Sequence, residues 1–327
     1  MTLISVALPV YNGADYLSEA LDSIITQDYA DFELVVSDNC STDETPQILA
    51  DYAHRDKRIR VSRTKSLIPQ AANVNRAVEL CDTTWVKLFC HDDIMLSGCL
   101  SALHQAVTDE DTDNVGLVGN DGGWRFSNGY SFEPLAGTEA RVISAKGPAL
   151  LQSIFGGVAE VNVPSLTTAM VKKEVWEKSG KFDGRYIHFD TFLWMRILTK
   201  WDYLFVTGNL TITRIHSMQV AVSARKSLQS VRDNRLFWPE FLDEFKGHLN
   251  LNATTRLKIR LKPLAAAGTI IAIEVIKGDL GSATKFFLHM PFLWWPLLPA
   301  FALRSFMRET IKIQPLRSRV TAQEIYP

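Results

Sequence analysis

Residues 85–98 read "WVKLFCHDDIMLSG", Trp85 to Gly98. The first six residues are a largely apolar run of strand length, and the run ends on two adjacent carboxylates, Asp92 and Asp93. Neighbouring like charges repel, and each is expensive to bury without a partner. Two readings fit the stretch taken alone. It is either an exposed strand end followed by a helix cap, or a cation site in which a divalent metal supplies the missing positive charge.

Working outward, the same design repeats. "LISVALPV" (3–10) is a short apolar run with β-branched residues, broken by Pro9 and then Asn12-Gly13, and reads as a buried strand ending in a turn. "FELVVSD" (32–38) and "RIRVSR" (58–63) read as two more strands. Between them, "ADYLSEALDSIITQ" (14–27) places Leu17, Ala20, Leu21, Ile24 and Ile25 at helical spacing. "STDETPQILADYAHR" (41–55) opens on Ser/Thr/Asp capping candidates and continues as a helix, as does "AANVNRAVELC" (71–81). "SGCLSALHQAV" (97–107) is again helical and "VGLVGN" (115–120) again a strand.

Strands alternating with helices of ten or more residues imply βαβ units: an α/β fold with a mostly parallel sheet flanked by helices. Ligands of such open sheets bind outside the carboxyl ends of the strands. Tyr11-Asn12, Asp38-Asn39 and Asp92-Asp93 each follow a strand, so all three can project into one crevice. That coincidence favours the cation site.

From about 121 to 170 the pattern loosens around Gly122-Gly123 and Gly156-Gly157, as substrate-facing loops or a second small sheet would. Residues 165–201 then read as a strand, a short helix, a turn at Gly180–Gly184 and a helix carrying Asp190, Trp194 and Arg196. "DYLFVTGNLTITRIHS" (202–217) is strand-like and reaches His216, and beyond 225 the periodicity is helical.

Composition excludes little. Of 327 residues 46% are hydrophobic, enough for a substantial core, and the net charge of −1 points to no nucleic-acid partner. The charge is unevenly placed, however. Residues 245–327 hold 12 Lys/Arg against 4 Asp/Glu, a balance of +8, which leaves −9 for the rest. None of the four cysteines forms a C-x-x-C pair, so neither a zinc site nor a disulfide framework is expected. The N-terminus lacks the basic and apolar regions of a signal peptide, so the expectation is a cytoplasmic protein.

The stretch 285–308, "KFFLHMPFLWWPLLPAFALRSFMR", has thirteen uncharged residues from Pro291 to Leu303, short of the roughly 20 of a spanning helix. Its Trp294-Trp295 pair and flanking Lys285, Arg304, Arg308 and Lys312 suit a bilayer interface. Peripheral membrane contact through 285–312 is therefore expected, at the inner face of the cell membrane. An apolar strap packed on the catalytic domain or a second subunit is the alternative.

The motifs, taken in order, resemble those of the family 2 glycosyltransferases of the GT-A fold. "SVALPVYNGADYLSEALDSIITQDYADFELVVSDNCSTDETPQIL" is similar to their P-x-Y-N start and D-x-x-S-T-D segment, and "AANVNRAVELCDTTWVKLFCHDD" to the unit ending in their acidic metal motif. "KFDGRYIHFDTFLWMR" resembles their G-F-D segment and acidic helix, and "TRIHSMQVAVS" their R-x-H ending.

The resemblance implies a GT-A catalytic domain over 1–222, with a nucleotide-binding half (1–120) and an acceptor half (121–222), and a helical C-terminal region over 223–327. It implies inverting transfer of one sugar from a nucleoside-diphosphate sugar, UDP-type favoured, to a saccharide or lipid-linked saccharide acceptor in surface glycan assembly. Pro9, Tyr11, Asn12, Asp38, Asn75 and Asp92 would bind the nucleotide-sugar, Tyr11 by stacking on the base. Asp93, with His216 as a further ligand, would hold Mg²⁺ or Mn²⁺. A structural role for His216, bonding a loop carbonyl, is the alternative. Asp190 would be the catalytic base, against the simpler reading of a helix N-terminal acid.

The chain departs from the family pattern at Cys90, Phe189 and Phe192, where relatives carry acids, and at Ser37 and Asn39. A non-catalytic nucleotide-sugar-binding relative and a sugar nucleotidyltransferase are the rival functions.

Overall fold

The computed structural model describes residues 4–126, 131–132, 140–156, 159, 161, 163–216, 229–248, 251–254, 256–257, 259–261, 281 and 284. The expected membrane-contacting stretch 285–312 lies outside them. The chain divides into two compact units, one of residues 1–125 with 129–214 and one of 126–128 with 215–327.

The first unit opens with three βα repeats: β1 (Ile4–Val10), α1 (Ala14–Ile25), β2 (Phe32–Asp38), α2 (Thr45–Arg55), β3 (Ile59–Arg63) and α3 (Gln70–Glu79). There follow β4 (Trp85–Leu88), β5 (Ile94–Met95), α4 (Cys99–Asp109) and the long β6 (Val115–Phe126). The loosely patterned region holds β7 (Ser131–Phe132), β8 (Val142–Ala145) and α5 (Gly147–Gly156), and then come β9 (Ala169–Lys172), α6 (Lys173–Lys178), α7 (Phe189–Leu198) and β10 (Asp202–Ile215).

One sheet collects the strands in the order β3-β2-β1-β4-β9-β6-β10-β5, with β7 on β6 and β8 on β10. The four strands β3, β2, β1 and β4 pair in parallel. β4 pairs antiparallel with β9, and β9 with β6, so the sheet is mixed where the sequence suggested a mostly parallel one. β6 also pairs antiparallel with β7.

β1 is central and covered on both faces, with six of its seven residues buried, as a doubly covered parallel strand should be. α1 presents Leu17, Ala20, Leu21 and Ile24, an i, i+3, i+4, i+7 stripe, to a core shared with Val6, Leu8, Leu34, Val36 and Leu103. α1 has no capping side chain of its own. Its first amides are met from the loop after β2. Ser41 Oγ accepts from Asn12 N–H (2.9 Å), Thr45 Oγ1 from Gly13 N–H (2.9 Å) and Asp43 Oδ2 from Ala14 N–H (3.1 Å). The Ser-Thr-Asp segment expected to cap α2 thus ties the turn after β1 to the turn after β2.

Strand order reverses beside β1. β2 and β3 lie on one side of it and β4 on the other, so the topological switch point falls between β1 and β4. The turns carrying Tyr11-Asn12 and Cys90–Asp93 leave the carboxyl ends of those two strands.

In the second unit, α8 (Gln229–Glu244) carries Phe237 and Phe241 one turn apart, and Phe245 continues the stripe just beyond its end; all three are buried. The Phe241 and Phe245 rings lie 4.7 Å apart. Among the described residues no helix is long and apolar enough to cross a membrane.

Candidate active site

At the β1 end, Tyr11 is 43% exposed while the strand before it is buried. Pro9 lies within β1, in register with Ser37. Asn12 adopts a left-handed φ of +47°, a conformation Asn tolerates, and its Oδ1 accepts from Thr42 N–H at 2.8 Å. Asp38 is buried at the end of β2. One of its oxygens accepts from Ser41 N–H (3.0 Å), and the other faces Arg63 Nε at 3.4 Å.

Asn75 is committed to the protein. Its side-chain amide donates to Phe182 C=O and its oxygen accepts from Phe182 N–H, both at 2.9 Å. It anchors the segment before α7 to α3, a positioning task that sequence spacing does not reveal.

The carboxylates after β4 sit among cationic and hydroxylic groups from distant parts of the chain. Asp93 Oδ1 accepts from Arg214 N–H at 2.9 Å, and Oδ2 accepts a very short hydrogen bond from the Thr167 hydroxyl. Arg214 also donates from its guanidinium to Asp92 C=O at 2.9 Å and forms an ion pair with Glu19. Burial, reinforced by the Asp92 charge, pushes the Asp93 carboxyl up to about 8. Below them Lys87 is fully buried, donating to Asn120 Oδ1 (2.7 Å) and Thr167 C=O (2.6 Å). Burial draws its ammonium down to about 8, against the opposing pull of Cys99, Cys90 and Asp93. Arg214 was visible in the R-x-H motif, and Lys87 as a lone charge inside an apolar strand; nothing in the sequence marks Thr167.

Asp190 opens α7 and accepts from Thr191 N–H at 2.8 Å. Burial raises its carboxyl, against the lowering effect of that amide and of His188. The Cys90 thiol is held well above its ordinary value by burial, then by Asp93 and Asp92, and the Asp190 charge adds to this. Asp190 is therefore within electrostatic reach of Cys90. Trp194 is buried edge-on to Phe182, and Arg196 donates to Ser179 C=O at 3.0 Å, so both hold α7 in place. His216 is buried and falls in the second unit.

The donor set after β4 fits a divalent cation. Cys90 Sγ and one carboxylate oxygen each from Asp92 and Asp93 lie within 4.8 Å of one another. Every oxygen of Asp93 retains a lone pair beyond the hydrogen bond it accepts.

Residues 5–136 match the model of "Glycosyl transferase family 2". The chain is 25% identical over 221 residues to glycosyltransferase GlyG of Streptococcus pneumoniae, which covers 66% of this chain and 71% of GlyG. Several further curated relatives are matched over only 12% to 38% of their own length. Among solved structures, TarS 1–349 of S. aureus in complex with UDP-GlcNAc superposes with a TM-score of 0.61 at 18% identity, covering 93% of this chain and 88% of that one. The mannosyltransferase PcManGT of Pyrobaculum calidifontis, in complex with GDP-Man and Mn²⁺, superposes at 0.57 and 17%, covering 93% and 86%.

Proposed function

We propose that this chain, whose residues 5–136 match the model of glycosyl transferase family 2, is a glycosyltransferase that moves one sugar, with inversion, from a nucleoside-diphosphate sugar to a saccharide hydroxyl. The observation that carries the proposal is the convergence at one strand-end crevice. The Asp92–Asp93 pair flanks the topological switch point, with Cys90 Sγ and an oxygen of each carboxylate within 4.8 Å of one another.

Tyr11, exposed at the mouth, offers a face for the donor base. Asp38 is placed to accept from a ring N–H or a ribose hydroxyl through lone pairs that Ser41 and Arg63 leave open. Asp92 orients ribose hydroxyls, and Asp93, with both oxygens already fixed, holds the divalent cation. Mg²⁺ or Mn²⁺ bound there would neutralise charge on the departing diphosphate. Asp190 removes the proton from the acceptor hydroxyl on the face opposite the diphosphate. Its raised carboxyl brings it nearer to neutral pH, where a general base works best.

A UDP-type donor is favoured, in line with the UDP-GlcNAc held by TarS. The acceptor is a saccharide, lipid-linked where the basic, Trp-bearing tail meets the membrane, in assembly of a surface glycan.

A thermal-shift screen tests this reading. UDP- and GDP-sugars are added with Mn²⁺, with Mg²⁺ and with chelator. One donor should raise the unfolding temperature only with metal, since a ligand at 100 times its Kd adds about 2.7 kcal/mol. Slow metal-dependent release of nucleoside diphosphate separates an enzyme from a pure binder. No shift with any donor would sink the proposal.

A further inference from the structure

Cys90 stands between the strand and the carboxylates, and nothing in the proposed transfer uses it. Its backbone N–H donates to Thr167 Oγ1 at 3.4 Å, the hydroxyl that donates to Asp93. One threonine therefore fixes both the residue bearing the thiol and the carboxylate. The sulfur and the oxygens of Asp92 and Asp93 lie within 4.8 Å of one another. A metal at about 2.3 Å from sulfur and 2.0–2.2 Å from oxygen, at tetrahedral to trigonal angles, brings such donors to roughly 3.3–3.9 Å apart, a closure that torsions of the Cys90 and Asp92 side chains would supply.

We propose that Cys90 supplies a thiolate to the cation held by Asp92 and Asp93, giving a mixed sulfur–oxygen site. This rests on the metal-dependent reading above and adds to it a ligand and a selectivity. Three oxygens would make a hard site suited to Mg²⁺ or Mn²⁺, whereas one thiolate shifts preference toward Zn²⁺, Co²⁺ and Cd²⁺. As the metal–sulfur bond forms, the thiol proton leaves to solvent, one per ion bound. Of the other cysteines, Cys81 and Cys99 are buried in the core, and Cys81 donates to Ala77 C=O within α3.

The test is spectroscopic. The metal-free full chain is titrated with Co²⁺ and, separately, Cd²⁺, as wild type, Cys90→Ser, Cys90→Asp and, as a control, Cys40→Ser. Wild type and Cys40→Ser should show the near-ultraviolet thiolate-to-metal charge-transfer band; both Cys90 variants should lack it. Competition of Zn²⁺ against Mn²⁺ should favour zinc about tenfold more in wild type than in Cys90→Asp. A band that survives Cys90→Ser, or the same zinc-to-manganese ratio in wild type and Cys90→Asp, would overturn the thiolate ligand. Co²⁺ and Mn²⁺ binding to wild type without a sulfur band removes the thiolate alone and leaves the glycosyltransferase site standing. Failure of wild type to bind any of these ions removes both.

Discussion

The backbone N–H of Arg214 donates to Asp93 Oδ1 at 2.9 Å across 121 positions of sequence. The other oxygen takes the hydroxyl of Thr167, from the turn before β9. Asp93 is thus clamped by the antiparallel half of the sheet while standing on a loop from the parallel half. Both donors are neutral groups, a backbone amide and a hydroxyl, so they orient the carboxyl by hydrogen bonding. Hydrogen bonds of this kind fix the direction of metal-binding carboxylates.

The Thr167 clamp is open to a near-isosteric test. Thr167→Val removes the hydroxyl donated to Asp93 and keeps the side-chain volume. Affinity for Mn²⁺, measured by calorimetry on the free protein, should fall about 10- to 100-fold. Thr167→Ser should retain most of it. An unchanged affinity in the valine variant would show that Asp93 orientation does not depend on this hydroxyl.

How far the sequence carried this site differs from half to half. The βαβ repeats announce themselves because β1, β2 and β4 are almost wholly buried and the helices show an apolar stripe; "FELVVSD" maps without error onto Phe32–Asp38. The region 121–170 does not, because the sharp approaches that need glycine there also erase periodicity. A Cβ on Gly122 would collide with Thr211. The helix Gly147–Gly156 sits in that stretch for the same reason: a Cβ on Gly147 would meet the Trp201 carbonyl. In the site, acids after strands were legible, since the fold rule says where strand ends go. Their partners Thr167 and Asn120 were not, because a hydroxyl or amide at the far side of a sheet leaves no local pattern. Asn75 shows the reverse failure: a polar residue in the right helix turns out to hold the backbone of Phe182.

Stability should depend on pH in two opposed limbs when metal is withheld. Asp93 is raised from 3.8 to about 8, so between those values the folded state holds a proton that the unfolded state has lost, and stability falls as pH rises. Lys87 is lowered from 10.5 to about 8, so from pH 8 to 10.5 the unfolded state holds the extra proton and stability rises. Each limb approaches about 1.4 kcal/mol per pH unit at most. Urea denaturation across pH 5–10 checks this by difference. Asp93→Asn should flatten the first limb and Lys87→Met the second; superimposable profiles would refute the assignment.

Gly13 keeps two loops in contact. A Cβ there would lie 2.4 Å from His91 Cδ2 and 2.8 Å from Val10 Cγ2. Gly13→Ala therefore has to push the His91 ring, and with it the turn carrying Asp92, away from the end of β1. Unfolding in urea should show a loss of about 1–3 kcal/mol, and donor affinity should drop alongside. A variant as stable as wild type would mean His91 rotates away freely.

The division of labour between the two acids gives the sharpest separation. In the proposed mechanism Asp93 faces the cation, so Asp93→Asn should weaken metal-dependent donor binding and, through it, transfer. Asp190 faces the acceptor side and touches no donor group in the proposed mechanism. Asp190→Asn should leave donor affinity nearly intact and lower transfer by about 10²- to 10⁴-fold, the usual worth of a positioned base. Donor affinity is read by calorimetry with Mn²⁺ present, and transfer by nucleoside-diphosphate release with acceptor. The Asp190 carboxyl is raised by burial, so the pH–rate profile of wild type should show its basic group above the ordinary carboxylate range, and Asp190→Asn should lose that limb. Equal loss of donor affinity in both variants would move Asp190 into the donor site and leave the reaction without its base.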